Sequence, residues 1–157
     1  MLVGGDSGTI AISSDNGSSW DNNTSSTTNI LYGVTHDGVG LFATVGGSGT
    51  ILTSADNGTN WTSRTSGTTQ HLNGVINRNN TFVVVGDNGT ILTSSGASTW
   101  TSRTTGTTNN LYGITYGNNT FVAVGNSGTI LTSSDGISWT SRASGTTNDL
   151  YGISYKE

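Results

Sequence analysis

Short apolar runs alternate with short polar ones along the whole chain. One stretch reads Leu111-Tyr-Gly-Ile-Thr-Tyr116, then Thr120-Phe-Val-Ala-Val124, then Thr129-Ile-Leu-Thr132, then Ser138-Trp-Thr-Ser-Arg142. Gly117-Asn-Asn, Gly125-Asn-Ser-Gly and Ser-Ser-Asp-Gly separate these runs. Each run is rich in β-branched or aromatic residues, and each is bounded by residues that favour turns, so the pattern predicts consecutive strands. Asn and Gly tolerate the positive φ of tight hairpins, which accounts for their place between the runs. No window holds apolar residues at i, i+3, i+4 and i+7 over three turns, so no helix is expected.

The pattern repeats. Trp20, Trp61, Trp100 and Trp139 are 41, 39 and 39 residues apart, and each is followed after eleven residues by Leu31, Leu72, Leu111 or Leu150. Next come Phe42, Phe82 or Phe121, and then Gly46, Gly86 or Gly125 ahead of a Gly-Thr-Ile segment that Gly8-Thr-Ile10 also carries. The longer first spacing has one extra residue between Leu31 and Phe42 and one before Trp61, which marks both places as turns. Four strands in about 39 residues predict a β-propeller blade. The expected fold is therefore all-β: a propeller of four four-stranded blades in a single domain, residues 1–157. The units are 1–29 with 150–157, then 30–70, 71–109 and 110–149. Labelled a to d from the Leu-Tyr-Gly run, the strands begin in b at Met1–Gly4 and end in a at Leu150–Tyr155. Pairing those two ends closes the ring, either within one chain as four blades or between two chains as an eight-bladed homodimer.

Composition narrows the chemistry. Gly, Thr, Ser and Asn supply 92 of 157 residues, and the net charge is −4. Five Lys and Arg against nine acidic residues leave no basic stripe for nucleic acid. With no Cys, thiolate metal sites and cysteine nucleophiles are excluded. No apolar run is long enough for a membrane span, and the N-terminus lacks a signal-peptide pattern. No cofactor is expected.

Ser13-Ser-Asp15-Asn-Gly17-Ser-Ser-Trp20 and Ser54-Ala-Asp56-Asn-Gly58-Thr-Asn-Trp61 both read S-x-D-x-G-x-x-W. This resembles the Asp-box, or sialidase-type BNR, repeat, which in that family forms the hairpin between the third and fourth strands of a propeller blade. Ser133, Asp135, Gly136 and Trp139 make a copy one residue shorter, while the copy ending at Trp100 has lost both Asp and Gly. The wider pattern resembles the photosystem II assembly factor propellers and the Gly-Thr-Ile-Leu-Thr-Ser repeat proteins of bacteria and phages. The resemblance to sialidases implies a test for an arginine triad, a Tyr nucleophile with a Glu partner, and an Asp acid/base. Arg64, Arg103 and Arg142 each stand three residues after a Trp, so repeat symmetry spreads them around the ring. The sole Glu is Glu157, at the C-terminus. Catalysis is therefore not expected.

His36 and His71 fall at different repeat positions, and the Asp at the Asp6-type turn position is replaced by Asn126 in another copy, so no metal site is expected. Gly33, Gly74, Gly113 and Gly152 suit crowded inner strands. Beside them, Tyr32, Tyr112 and Tyr151, with Asn73 in the fourth place, are candidate ligand contacts near the axis, as are Arg64, Arg103 and Arg142. The functional expectation is a non-enzymatic binding or scaffold module. Its alternatives are a multivalent lectin for neutral glycans, or an engineered or excised repeat array. A virion or cell-surface setting would suit the Lys-poor surface.

Overall fold

A computed structural model describes residues 1–156. Fifteen strands form four antiparallel sheets. The first sheet holds β1 (Leu2–Gly4), β2 (Ile10–Ile12) and β3 (Asp21–Asn23). The second runs β4 (Leu31–His36), β5 (Phe42–Gly46), β6 (Ile51–Ser54) and β7 (Thr62–Arg64). The third contains β8 (Leu72–Arg78), β9 (Thr81–Gly86), β10 (Ile91–Ser94) and β11 (Thr101–Ser102). The fourth contains β12 (Leu111–Gly117), β13 (Thr120–Gly125), β14 (Ile130–Ser133) and β15 (Thr140–Arg142). Each sheet is an up-and-down meander in chain order, the build of a propeller blade. Among the described residues the only helical segments are three single 3₁₀ turns between second and third strands.

Turn chemistry sets the strand ends. Asn79-Asn80 and Asn118-Asn119 take positive φ at both positions, the two-residue hairpin that matches strand twist. The second blade-like sheet carries the extra residue here, and its loop is organised differently. The Asp37 carboxylate accepts the N–H groups of Val39, Gly40 and Leu41 at 2.8–3.0 Å. Burial pushes the Asp37 carboxyl up, but those three N–H bonds together outweigh it and hold its pKa below the ordinary value.

The core lies between blades, where successive faces interleave. Val83, Val85 and Ile91 of one blade pack with Leu111, Phe121, Ala123 and Leu131 of the next. Val45 and Ile51 likewise pack with Leu72, Val84 and Leu92. The inner strands nearly touch: a Cβ on Gly33 would lie 3.3 Å from the Gly74 Cα, and one on Gly113 would lie 3.1 Å from the Tyr151 carbonyl oxygen. That is the crowding expected of innermost strands.

The propeller fold is as expected, but the chain does not close on itself. β1 has β2 as its only neighbour in its sheet. The segment 150–155 lies beside β12, anchored by the Leu150 N–H on the Gly125 carbonyl at 3.0 Å, and pairs with no strand. The N-terminal sheet packs at the opposite end of the row, with the Leu31 N–H on the Gly5 carbonyl at 3.0 Å. The expected grouping of 1–29 with 150–157 therefore has no strand pairing between 150–155 and β1 within the single chain.

Candidate functional site

The blades present two ends. One end carries the hairpins after the first strand and the Ser–Asp–Gly–Trp turns. The other carries the turns between second and third strands, together with the loops that lead from one blade into the next. These loops and turns brace each other. The backbone N–H of Ser48 donates to His71 Nδ1 (3.2 Å), that of Asn88 to Asn110 Oδ1 (2.9 Å), and that of Ser127 to Asp149 Oδ1 (2.8 Å). Reading the sequence weighed His71 only as a metal ligand and did not single out Asn110 or Asp149. Their common signal is an acceptor side chain just before Leu72, Leu111 and Leu150, a place that Ile30 takes ahead of Leu31.

On that same end, the second residue of each inner strand forms a row. Tyr112 and Tyr151 stack with centroids 5.1 Å apart, and Tyr32 meets the His71 ring edge-on at 6.2 Å. Between them Asn73 donates from Nδ2 to Asp87 (2.8 Å) and to the Leu111 carbonyl (2.9 Å). Tyr32 is 47% exposed and Tyr151 69%. Asp149 next to Tyr151 raises the phenol pKa above its ordinary value, through its charge first and by desolvation after it. The structure therefore brings Tyr112 and Tyr151 into contact and keeps Tyr32 apart from them, with Asn73 on the inner strand between.

The arginines do not converge. Arg64 and Arg142 stand on the outermost strands of their blades and Arg103 just past the end of β11, and each donates from Nε to a threonine Oγ1 on the adjacent strand: Thr53 (2.8 Å), Thr93 (2.7 Å) and Thr132 (2.9 Å). Each lines an open polar groove walled by the blade's own turn and by a Ser/Thr-Gly-Thr-Thr loop. The three grooves measure about 730, 600 and 700 Å³ in chain order. Asn23 holds the equivalent position in the N-terminal sheet and reaches instead to the Gly58 carbonyl.

The Ser–Asp–Gly–Trp residues build turns. Ser13 Oγ donates to Asp15 Oδ1 (2.8 Å) and accepts the Gly17 N–H (2.7 Å), while Asp15 accepts both the N–H and the hydroxyl of Ser19. Ser54, Asp56, Gly58 and Asn60 repeat this arrangement, and Ser133, Asp135 and Gly136 make the shorter form. In all three the Trp ring N–H (Trp20, Trp61, Trp139) closes the turn on the glycine carbonyl at 2.8–3.2 Å. Bonds to the ionised carboxylates draw the pKa of Asp15 down to about 2, chiefly through Ser19, and that of Asp56 to about 2, chiefly through Asn60. A depressed folded-state pKa means that these turns are fully supported above the ordinary carboxylate value of 3.8 and lose that support as pH falls towards 2. Carboxyl NMR titration should give midpoints near 2 for both residues. Midpoints at the ordinary value would contradict the bonding described.

The remaining copy is defective. Ala97 holds φ 53° where the others use glycine, and the buried Trp100 ring N–H has no partner. A Cβ on Gly96 would meet nothing within 4 Å. Gly96→Asp should therefore stabilise the protein by about 1–2 kcal/mol, by restricting the unfolded chain and by accepting turn N–H groups as Asp135 does. Urea unfolding checks this; an unchanged or lower midpoint would refute it.

His36 and His71 both serve turns: His36 Nδ1 accepts the Gly38 N–H (3.0 Å), and His71 braces the Ser48 turn. Among the described residues, no three His, Asp or Glu side chains gather in a way that could hold a metal ion.

Residues 34–141 match the model of the DUF6242 beta propeller domain. The chain belongs to that family. No curated protein matches it. Among solved structures, this DUF6242 propeller is similar to YCF48 bound to D1 peptide, with a TM-score of 0.75 and 17% identity over 96% of this chain and 52% of that one. It is also similar to YCF48 from Cyanidioschyzon merolae, with a TM-score of 0.73 and 16% identity over 98% of this chain and 55% of that one. The chain thus spans about half the length of these relatives in fold. At such identity the likeness concerns the fold alone.

Proposed function

We propose that this DUF6242 propeller is a non-enzymatic binding module that holds an extended segment of a partner polypeptide along the row Tyr32–Asn73–Tyr112–Tyr151. The observation that carries this reading is the recurrence of Tyr32, Tyr112 and Tyr151 at the second position of the innermost segments, with Tyr32 and Tyr151 exposed, Tyr112 half-buried and Asn73 in the intervening place. Tyrosine offers a large apolar face and a hydroxyl while losing little rotamer freedom, which suits contact with a peptide backbone and its side chains. That a propeller of similar fold has been solved with a bound peptide supports the same reading. Peptides selected by display on the wild-type protein should bind the Tyr32→Ala/Tyr112→Ala/Tyr151→Ala variant at least about tenfold more weakly by calorimetry, a loss of roughly 1.4 kcal/mol. Undiminished binding to that variant, with its melting unchanged, would exclude the row.

The three equivalent arginine grooves favour a second reading, a lectin with one site per blade. Their Ser, Thr and Gly lining offers hydrogen bonds with a single charge each, and repeated sites raise avidity. Glycan-array signals abolished by Arg64→Gln/Arg103→Gln/Arg142→Gln would support it; an array without signals would dispose of it.

A further inference from the structure

The molecule has two bare edges, and they match each other. At one end, β1 exposes residues whose counterparts in every other blade are covered. Val3 is 46% exposed, whereas Thr44, Val84 and Ala123 at the same repeat position are each 0%. Gly4 is exposed where Val45, Val85 and Val124 are buried. What covers those positions elsewhere is an inner strand, β4, β8 or β12. At the other end, the segment Leu150-Tyr-Gly-Ile-Ser-Tyr155 repeats the sequence of those inner strands, matching Leu111-Tyr-Gly-Ile-Thr-Tyr116 at five of six positions. It already occupies the place of the next inner strand, beside β12, and has no second strand to pair with. Tyr151 there is the most exposed tyrosine of the row, and Leu150 is half-buried where Leu31, Leu72 and Leu111 are at most 2% exposed.

We propose that the β1 edge of one 157-residue chain receives the 150–155 segment of a second copy, and gives its own segment to that copy in return. Two chains then complete two shared blades and close one eight-bladed ring about a twofold axis. The register follows from the completed blades. There Leu111 pairs with Gly125, Gly113 with Val124, Ile114 with Ala123, Thr115 with Val122 and Tyr116 with Phe121. Carried to the open edge, this sets Leu150 opposite Gly5, Gly152 opposite Gly4, Ile153 opposite Val3, Ser154 opposite Leu2 and Tyr155 opposite Met1.

The second copy is preferred over the chain's own tail on curvature. The arc superposes over 96% of its length on only 52% of a longer propeller, so four repeats of this inclination sweep about half a turn and not a whole one. Closing the same blades on themselves would double every inter-blade angle and open the packed interfaces between them, where the core is dense and void-free packing is favoured. Pairing in trans leaves those interfaces as they are and removes both unpaired edges, which are otherwise aggregation hazards.

The chain contains no cysteine, so crosslinking can be read without background. Val3→Cys and Ile153→Cys are made in separate chains, mixed, refolded together and oxidised. A disulfide-linked species of twice 16.1 kDa, which forms in the mixture and in neither variant alone and is lost on reduction, is expected. Light scattering of the wild-type chain should give that same doubled mass. A monomeric wild-type mass overturns the proposal, as does a crosslink that forms only when both cysteines are in one chain and remains at single mass. Should either cysteine variant fail to fold, truncation after Asp149 supplies the second reading. Loss of the doubled mass supports exchange, and a doubled mass that survives the truncation overturns it.

Discussion

Gly89→Ala should lower stability by about 3 kcal/mol or more, while Gly106→Ala, seventeen residues on, should cost only about 1 kcal/mol. Both glycines have positive φ, 65° and 73°. The difference lies in what a methyl group would meet. At Gly106 nothing stands within 4 Å of an added Cβ, so the penalty is the left-handed backbone alone. At Gly89 the added Cβ would overlap the Thr107 carbonyl oxygen, a backbone atom that cannot rotate away. The same overlap recurs at Gly8 with Thr27, Gly49 with Thr68 and Gly128 with Thr146. These four turns press directly onto the loops that lead between blades, so pushing one aside also strains the bracing bonds at Asn88–Asn110 and its equivalents. Urea unfolding of the two variants measures the contrast. Equal losses would show that the turn does not bear on the loop.

Phe82→Ala should cost about 3–5 kcal/mol, the range for emptying a fully packed aromatic site. Phe82 is 1% exposed and plugs the junction between two blades, against Ala43 and Leu41 of one and Ala97 and Trp100 of its own. Its ring meets Trp100 edge-on at 6.3 Å. The small Ala43 and Ala97 make room for the ring and are too short to fill the space it would leave. Phe42→Ala should cost distinctly less, because Phe42 is only half-buried beside the incomplete N-terminal sheet. Thermal melting followed by ellipticity should show the Phe82 variant falling by roughly 10 °C, at about 2–4 °C per kcal/mol for a chain of this size. A smaller fall for Phe82 than for Phe42 would contradict the assignment of the core.

Much of the architecture was legible in the residues because it is specified locally. The Asn-Asn hairpins, the Gly-x-x-Gly turns and the Ser–Asp–Gly–Trp turns each depend on one or two positive φ values and on side chains that reach only a few residues away. The candidate site was legible in part. The repeat position of Tyr32, Tyr112 and Tyr151 follows from spacing, and so does the separation of the three arginines. The bracing of each turn by His71, Asn110 or Asp149 was not visible, because these residues differ in type and act on a neighbouring blade more than twenty residues away. Nor was the unpartnered Trp100 ring N–H, which shows only once the turn is folded with Ala97 in the place of glycine.

By itself the amino-acid order determined that the chain makes four-stranded meanders, where each strand turns, and which strand is innermost. These outcomes rest on short-range backbone preferences and on a two-residue alternation that any one repeat already contains. Only the tertiary structure decided that the ends stay apart, and that His71, Asn110 and Asp149 each brace a turn of the neighbouring blade. The angle between blades is the accumulated result of many side-chain contacts such as Val85 on Leu111 and Val45 on Leu72. No single residue encodes it.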